Sequence, residues 1–165
     1  MIEIVLILDN IRSALNVGAI MRTAAGLGVS EIYVLGLTPY LRVAGDQRLP
    51  HIVKRAERQI LKTALGAEKF VNLKPVDNPI ELADMLKSQG YQLISIENHT
   101  GSQELPKYKT NTKTALILGS EVDGVQPGLI AASDKVLSIP MTEAKESFNV
   151  AAAAAMAIYH FKFRA

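Results

Sequence analysis

The chain has 165 residues, and 48% of them are hydrophobic, which is enough to bury the core of one domain and argues against intrinsic disorder. It contains no cysteine, so a disulfide framework and thiolate chemistry are excluded, and the composition fits a reducing cytoplasm. No apolar run reaches the roughly 18 residues of a membrane span, and a net charge of +2 does not by itself indicate a nucleic-acid partner. We therefore expect one cytoplasmic domain over residues 1–165.

The N-terminal part of the chain is predicted to form a strand, a helix and a second strand. Residues 4–8 are a continuous apolar run, which is typical of a strand buried on both faces of a parallel sheet. Because the acidic Glu3 stands where a signal peptide carries basic residues, we predict a strand here and not a leader. Asn16 is a plausible N-cap for a helix that Gly28 ends, and residues 31–35 form a second apolar strand.

The middle of the chain adds a basic helix and two more strands. Between residues 42 and 62, six Lys and Arg stand against two acids, so this segment carries +4 and the remainder of the chain sums to −2. The segment predicts a basic helix after a turn-rich stretch. Further strands are predicted at residues 70–73 and 91–97, and they are joined by a helix that Asn78 caps.

The C-terminal part of the chain alternates apolar strands with polar segments. Residues 99–113 predict a connecting loop, residues 115–118 a fifth strand, and residues 135–139 a sixth. A short helix is expected between these last two strands, and an alanine-rich helix follows Ser147 and Asn149, which are both good N-caps. The alternation predicts an α/β fold with a mostly parallel six-stranded sheet and helices on both faces.

Three polar segments follow or flank the predicted strands, at residues 9–18, 119–124 and 141–149. Ligands of open α/β sheets bind outside the carboxyl ends of the strands, so we expect the three segments to converge on one site. Their glycines would allow the backbone to approach a ligand closely. No segment matches GxGxxG or GxxxxGKS/T, and the three histidines are far apart in sequence, so we expect neither a dinucleotide fingerprint, nor a P-loop, nor a metal site.

The same segments resemble the motifs of a known enzyme family. NxGAIxRTAxxxG at residues 16–28, LGSExxG at 118–124 and IPMxxxxxSxNVAxAxAxAxY at 139–159 are similar, in order and spacing, to those of the SpoU (TrmH) family of RNA 2′-O-ribose methyltransferases, in the SPOUT class. The resemblance implies S-adenosylmethionine (AdoMet) as the methyl donor and a ribose 2′-hydroxyl of structured RNA, either tRNA or rRNA, as the acceptor. It also implies a C-terminal trefoil knot and a homodimer that shares its site. Because the first strand begins at Ile4, we expect no separate RNA-binding extension.

The resemblance assigns site residues one by one. The catalytic positions fall on Asn16, Arg22, Glu121, Ser147 and Asn149. The donor-binding positions fall on Leu118, Gly119, Ile139, Met141, Ser147, Phe148 and Asn149. The chain departs from the usual family residues at Val125, Glu143, Phe148 and Ala151. Glu143 stands where glycine is usual, and it bears most directly on the conformation of the donor-binding loop and on donor affinity.

Arg22 is the motif residue to which the chemistry is assigned. The family proposal is that this arginine acts as the general base, but a guanidinium stays protonated in proteins. We therefore favour a charged Arg22 that grips a substrate phosphate and stabilises the developing alkoxide, while the proton leaves to water or to Glu121. RNA contact is assigned to the basic stretch, at Arg42, Arg48, Lys54, Arg55 and Arg58.

Structural alternatives remain for each of these assignments. Asn16 could serve only as a cap, Arg22 could be a helix-surface charge, and the basic stretch could be a solvated helix face. The alanine run could serve only packing. The alternative function is a catalytically silent RNA-binding or assembly module that retains the fold, and the RNA and the modified nucleotide are left open.

Overall fold

The computed structural model describes residues 2–98, 101–110, 112–142 and 147–164. Within these residues, seven strands alternate with five α-helices and two short 3-10 helices, which span Ala67–Lys69 and Leu105–Lys107. The strands are β1 Ile4–Asp9, β2 Glu31–Leu35, β3 Asn72–Val76, β4 Gln92–Ile96, β5 Gln103–Glu104, β6 Thr114–Leu118 and β7 Lys135–Ser138. The α-helices are α1 Ala14–Gly26, α2 Pro50–Ala64, α3 Pro79–Ser88, α4 Pro127–Ala132 and α5 Val150–Phe163.

The strands form one sheet in the order β3-β2-β1-β6-β4-β7-β5, and every pairing among the described residues is parallel. The central strands β1 and β6 are buried at every position, which explains their continuous apolar sequences. The prediction of six strands was wrong by one. β5 is a two-residue polar strand that pairs with the end of β7, within a segment predicted as a loop.

Helices cover both faces of the sheet, as predicted. One hydrophobic cluster joins the sheet to α1, α2 and α5, and a second joins the opposite face to α3 and α4. Gly18 allows α1 and α2 to cross closely, because a Cβ at this position would collide with Ile60 O and Thr63 Oγ1 of α2. Thr63 Oγ1 then donates a hydrogen bond to Leu15 O across the crossing, at 2.8 Å.

The helix starts correct one prediction and confirm two. Ser13, and not Asn16, caps α1, because its hydroxyl accepts a hydrogen bond from the Asn16 N–H at 3.2 Å. Asn78 and Asn149 cap α3 and α5 as predicted. The basic helix begins only at Pro50, so the segment from residue 42 to 49 precedes it.

Candidate active site

A cavity of about 580 Å³ lies where β4, β6 and β7 end and α5 begins, within the size range of ligand sites in proteins. All seven predicted donor-binding residues lie in its wall. The described lining residues are Ile96, Glu97, Asn98, Leu118, Gly119, Ser120, Glu121, Val122, Gly124, Ile139, Met141, Ser147, Phe148, Asn149, Val150 and Ala153. The second and third motifs therefore converge in space as the sequence predicted, although Glu143 lies outside the described residues.

The loop after β6 is held in a tight conformation that only glycine permits at two positions. A Cβ at Gly119 would collide with the Gly124 backbone, and Ser120 and Gly124 exchange two backbone hydrogen bonds of 3.0 Å. Gly124 has a φ of +70° and packs against the Glu97 carboxylate. Glu97 Oε2 also accepts from the Val125 N–H at 2.9 Å, so this carboxylate anchors the loop. Glu97 was not assigned to the site from the sequence, although an acid directly after an apolar strand could have signalled it.

Glu121 is joined to the start of α5 through two amide side chains. Asn149 Oδ1 accepts from the Ala151 N–H at 2.9 Å, so the Asn149 amide is oriented by its role as helix cap. The Asn149 Nδ2 is therefore left to donate to Asn16 Oδ1, at 3.2 Å. Asn16 must then present its own Nδ2 to Glu121, and it donates to Glu121 Oε1 at 2.6 Å. We call this chain of Asn149, Asn16 and Glu121 the amide relay.

Four further contacts tie the end of β1 and the loop after it to the segment after β6. The Arg12 N–H donates to Glu121 Oε2 at 3.4 Å, and Arg12 Nη2 forms a salt bridge of 2.9 Å with Asp123. Both side chains of this pair are more than half exposed, so its contribution to stability is small. The buried Asp9 accepts from the backbone and side-chain amides of Gln126, each at 2.7 Å. Neither Arg12 nor Asp9 was assigned to the site from the sequence.

Arg22 does not lie in the cavity wall within one chain. Six residues separate it from Asn16, which on an α-helix corresponds to a rotation of roughly 240° and a rise of about 9 Å. Arg22 is exposed and lines a surface cleft with residues of α2, including Lys62 and Thr63. The four other predicted catalytic residues meet at the cavity, either in its wall or, for Asn16, through the amide relay.

The predicted RNA-binding residues divide into two groups. Lys54, Arg55 and Arg58 are exposed on α2, and their side chains extend from an amphipathic helix. Arg42 and Arg48 lie before the helix, where Arg42 pairs with Glu57.

Arg48 contacts residues of its own loop. It forms two hydrogen bonds to Asp46 of 2.9 and 2.6 Å, donates to two backbone carbonyls, and covers the Tyr40 ring at 3.4 Å from its centroid. The hydrogen bond from Arg48 holds the pKa of Asp46 well below its usual range. The geometry therefore favours a structural role for Arg48, and the prediction of phosphate binding rests on the residues of α2.

Within residues 2–98, 101–110, 112–142 and 147–164, no group of three His, Cys, Asp or Glu residues is arranged to hold a metal ion. Over the same described ranges, no helix combines the length and apolar character needed to cross a membrane.

Comparisons with known proteins identify the family of this chain. Residues 3–159 match the family model described as SpoU rRNA Methylase family. The chain is 26% identical over 160 residues to a tRNA (guanosine(18)-2'-O)-methyltransferase of Borreliella burgdorferi, covering 96% of this chain and 65% of that protein. It thus spans less than two thirds of the length of this relative.

Two solved structures have the same fold. The TrmH/SpoU tRNA modifying enzyme of Aquifex aeolicus superposes with a TM-score of 0.77 at 24% identity, over 98% of this chain and 75% of that one. The SpoU methyltransferase AviRb of Streptomyces viridochromogenes, in complex with AdoMet, gives 0.78 at 23% identity, over 95% and 56%. With a match that covers nearly the whole sequence, the chain belongs to the SpoU rRNA Methylase family.

Proposed function

We propose that this protein transfers a methyl group from AdoMet to a ribose 2′-hydroxyl of structured RNA, either tRNA or rRNA. The observation that carries the proposal is the cavity of about 580 Å³, whose wall contains every residue that the motifs assign to the donor. The relative from Borreliella burgdorferi is named for this reaction on tRNA, and AviRb was crystallised with this donor.

The cavity suits AdoMet in size and charge. Gly119 and Gly124 shape its wall, because a Cβ at these positions would collide with the loop's own backbone or with Glu97. Two carboxylates, Glu97 and Glu121, lie in the wall, and none of its described residues is Lys or Arg. This electrostatic environment favours a cationic ligand. When bound, AdoMet supplies an electrophilic methyl carbon on a sulfonium, and the sulfur leaves as a neutral thioether.

The chain's own residues then have separate tasks. The 2′-oxygen of the RNA forms the new bond to the methyl carbon and loses its proton. Glu121, oriented by Asn16 and by the Arg12 N–H, is the carboxylate available to accept that proton directly or through water. A charged Arg22 holds the neighbouring phosphate and stabilises the developing alkoxide. Both tasks require only a protonated guanidinium, so Arg22 does not have to act as a base.

A homodimer is the second part of the proposal, because Arg22 lies away from the cavity of its own chain. The outer face of α5 carries a row of apolar side chains, of which Tyr159 is 50% exposed and Phe163 57% exposed. Ala152 and Met156 continue this row at helical spacing. We infer that two chains pair through α5, which would cover the row, and that Arg22 of one chain serves the cavity of the other.

We further propose the trefoil knot and a cytoplasmic location. Support for the knot is that α5 packs against the segment after β4, where His160 Nε2 lies 2.8 Å from Tyr108 O. A crystal structure that traces the chain between β7 and α5 would test the knot. The cytoplasmic location follows from the proposed RNA substrates, and fractionation of cells expressing the protein would test it.

Calorimetric titration with AdoMet tests the proposed donor site. Gly119→Ala places a methyl group against the Gly124 backbone and should abolish the heat of binding, whereas Gly26→Ala, where a Cβ would meet nothing within 4 Å, should leave it unchanged. The absence of binding heat in the wild-type protein, together with no methyl transfer to RNA, would instead favour the silent RNA-binding or assembly module.

A further inference from the structure

The surface around Arg22 combines two clefts that the site described above does not include. One has a volume of about 550 Å³ and is lined by Ala19, Arg22, Thr23, Lys62, Thr63 and Leu65. The other, of about 390 Å³, is lined by Arg22, Ala25, Ala64, Leu65, Gly66, Ala67, Lys69 and Phe70. Arg22 and Leu65 belong to both, so the clefts are continuous, and we call them together the Arg22 cleft.

Two apolar side chains are held in solvent beside this cleft. Phe70 is 72% exposed and Leu65 is 65% exposed, in a protein with only four phenylalanines. Leu65 has a φ of +50° and caps the end of α2 in the left-handed conformation that normally requires glycine. A strained residue that also exposes a large apolar side chain indicates selection for something other than stability.

The charge of the Arg22 cleft is uniformly positive. Among the described residues, its lining contains Arg22, Lys62 and Lys69 and no Asp or Glu, and Glu68 is absent from the wall of either part. All three cations are exposed. None of them takes part in the salt bridges found within the described residues.

An exposed aromatic ring beside several free cations is the arrangement with which proteins hold unpaired nucleotides. The ring stacks on a base, and the cations neutralise the phosphates on either side. We infer that the Arg22 cleft binds an unpaired nucleotide of the substrate RNA, with its base on Phe70 and its phosphates on Lys62, Lys69 and Arg22. The inference rests on the proposed function and adds to it a base-stacking site that lies outside the donor cavity.

Replacing Phe70 tests the stacking directly. Phe70→Ala should raise the Kd for an unmodified tRNA transcript by roughly 5- to 150-fold, the loss expected for one stacked base. The control is Ile80→Ala, which removes a partly exposed apolar side chain from α3 on the opposite face of the sheet and should leave the Kd unchanged. Equal affinities of the Phe70→Ala and wild-type proteins would overturn the inference.

A second variant reports contact with a base and not merely a change in affinity. The chain has no tryptophan, so Phe70→Trp introduces a single tryptophan that can be excited apart from the five tyrosines. Its fluorescence should be quenched by the tRNA transcript, which offers unpaired bases, and hardly at all by a fully paired RNA duplex of the same length. Affinity close to wild type is expected, because tryptophan also stacks on bases. Equal quenching by both RNAs would contradict the inference.

The remaining outcomes separate this inference from its alternatives. If wild-type protein binds AdoMet and methylates RNA while Phe70→Ala does so at the same rate, only the stacking site fails. If wild-type protein neither binds AdoMet nor transfers a methyl group, the proposed function fails. Quenching of the tryptophan in Phe70→Trp by RNA would still report whether the Arg22 cleft binds an unpaired nucleotide. If Phe70→Ala changes the mass of the protein in solution, the cleft is a protein interface and the inference is wrong.

Discussion

The amide relay makes a prediction that separates the two roles of Asn149. Its Oδ1 caps α5, and its Nδ2 orients Asn16 against Glu121. Serine is nearly as good an N-cap as asparagine, but it has no amide that could reach Asn16. Asn149→Ser should therefore keep the cap and break the relay, whereas Asn149→Ala should lose both.

The magnitudes follow from the two contacts. Losing a cap costs about 1 kcal/mol, which for a domain of this size lowers the Tm by roughly 2–4 °C. The hydrogen bond that Asn149→Ser removes joins two neutral amides and contributes about 0.5–1.5 kcal/mol, so the lost orientation of Asn16 should reduce kcat/KM for methyl transfer by roughly 2- to 13-fold. Asn149→Ser should show the kinetic loss with a Tm close to wild type, and Asn149→Ala should show both losses.

Asn78 provides the matched control. It caps α3 by the same geometry, and its amide donates to Glu81 Oε1 at 2.8 Å, but it lies away from the cavity. Asn78→Ala should lower the Tm and leave initial rates of methyl transfer unchanged. Wild-type rates in Asn149→Ser would show that the relay has no part in the reaction and that Asn149 serves only as a cap.

Three further predictions concern Arg22, the basic helix and the dimer. Arg22→Ala should lose nearly all methyl transfer yet still bind AdoMet in calorimetry. Arg22→Lys should recover little of the methyl transfer, because lysine lacks the planar guanidinium fork. Strong recovery of activity in Arg22→Lys, with a new pH dependence, would support the general-base proposal instead. The double change of Arg55 and Arg58 to alanine should reduce the slope of log affinity against log salt by about 0.7–0.9 for each lost phosphate contact, and an unchanged slope would mark α2 as solvated surface. Light scattering of the wild-type protein at micromolar concentration should give the mass of two chains. Tyr159→Glu should give the mass of one chain, because it places a charge in the apolar row of α5. A wild-type mass of one chain would refute the dimer.

Much of the fold follows from local sequence signals. The runs that became β1 and β6 are apolar throughout because both faces of a central parallel strand are buried. Asn78 and Asn149 could be identified as caps because capping depends on a side chain and the next two or three residues. By contrast, β5 has only two polar residues, and its pairing with β7 leaves no periodic pattern for sequence analysis to detect.

The residues of the cavity wall were predicted better than the hydrogen bonds that join the loops around it. The second and third motifs identified residues of the cavity wall because part of each motif directly follows β6 or β7. Asn16 and Glu121 are 105 residues apart, and their hydrogen bond depends on β1 and β6 being neighbours in the sheet. The sequence also could not show that Arg22 lies away from the cavity, because its position depends on how α1 is rotated against the sheet. The cap of α1 was assigned to Asn16 instead of Ser13, since both residue types are good caps and lie three positions apart.

The most direct test of the account is chemical mapping of the methylated atom. Purified protein would be incubated with AdoMet carrying a labelled methyl group and with unmodified tRNA and rRNA, and the RNA would then be hydrolysed in alkali. A methylated 2′-oxygen cannot attack the adjoining phosphodiester, so the account predicts that the label survives in an alkali-resistant dinucleotide and that Arg22→Ala yields none. Label recovered in mononucleotides would place the methyl group on a base, and it would contradict the assignment of a ribose 2′-hydroxyl as the acceptor.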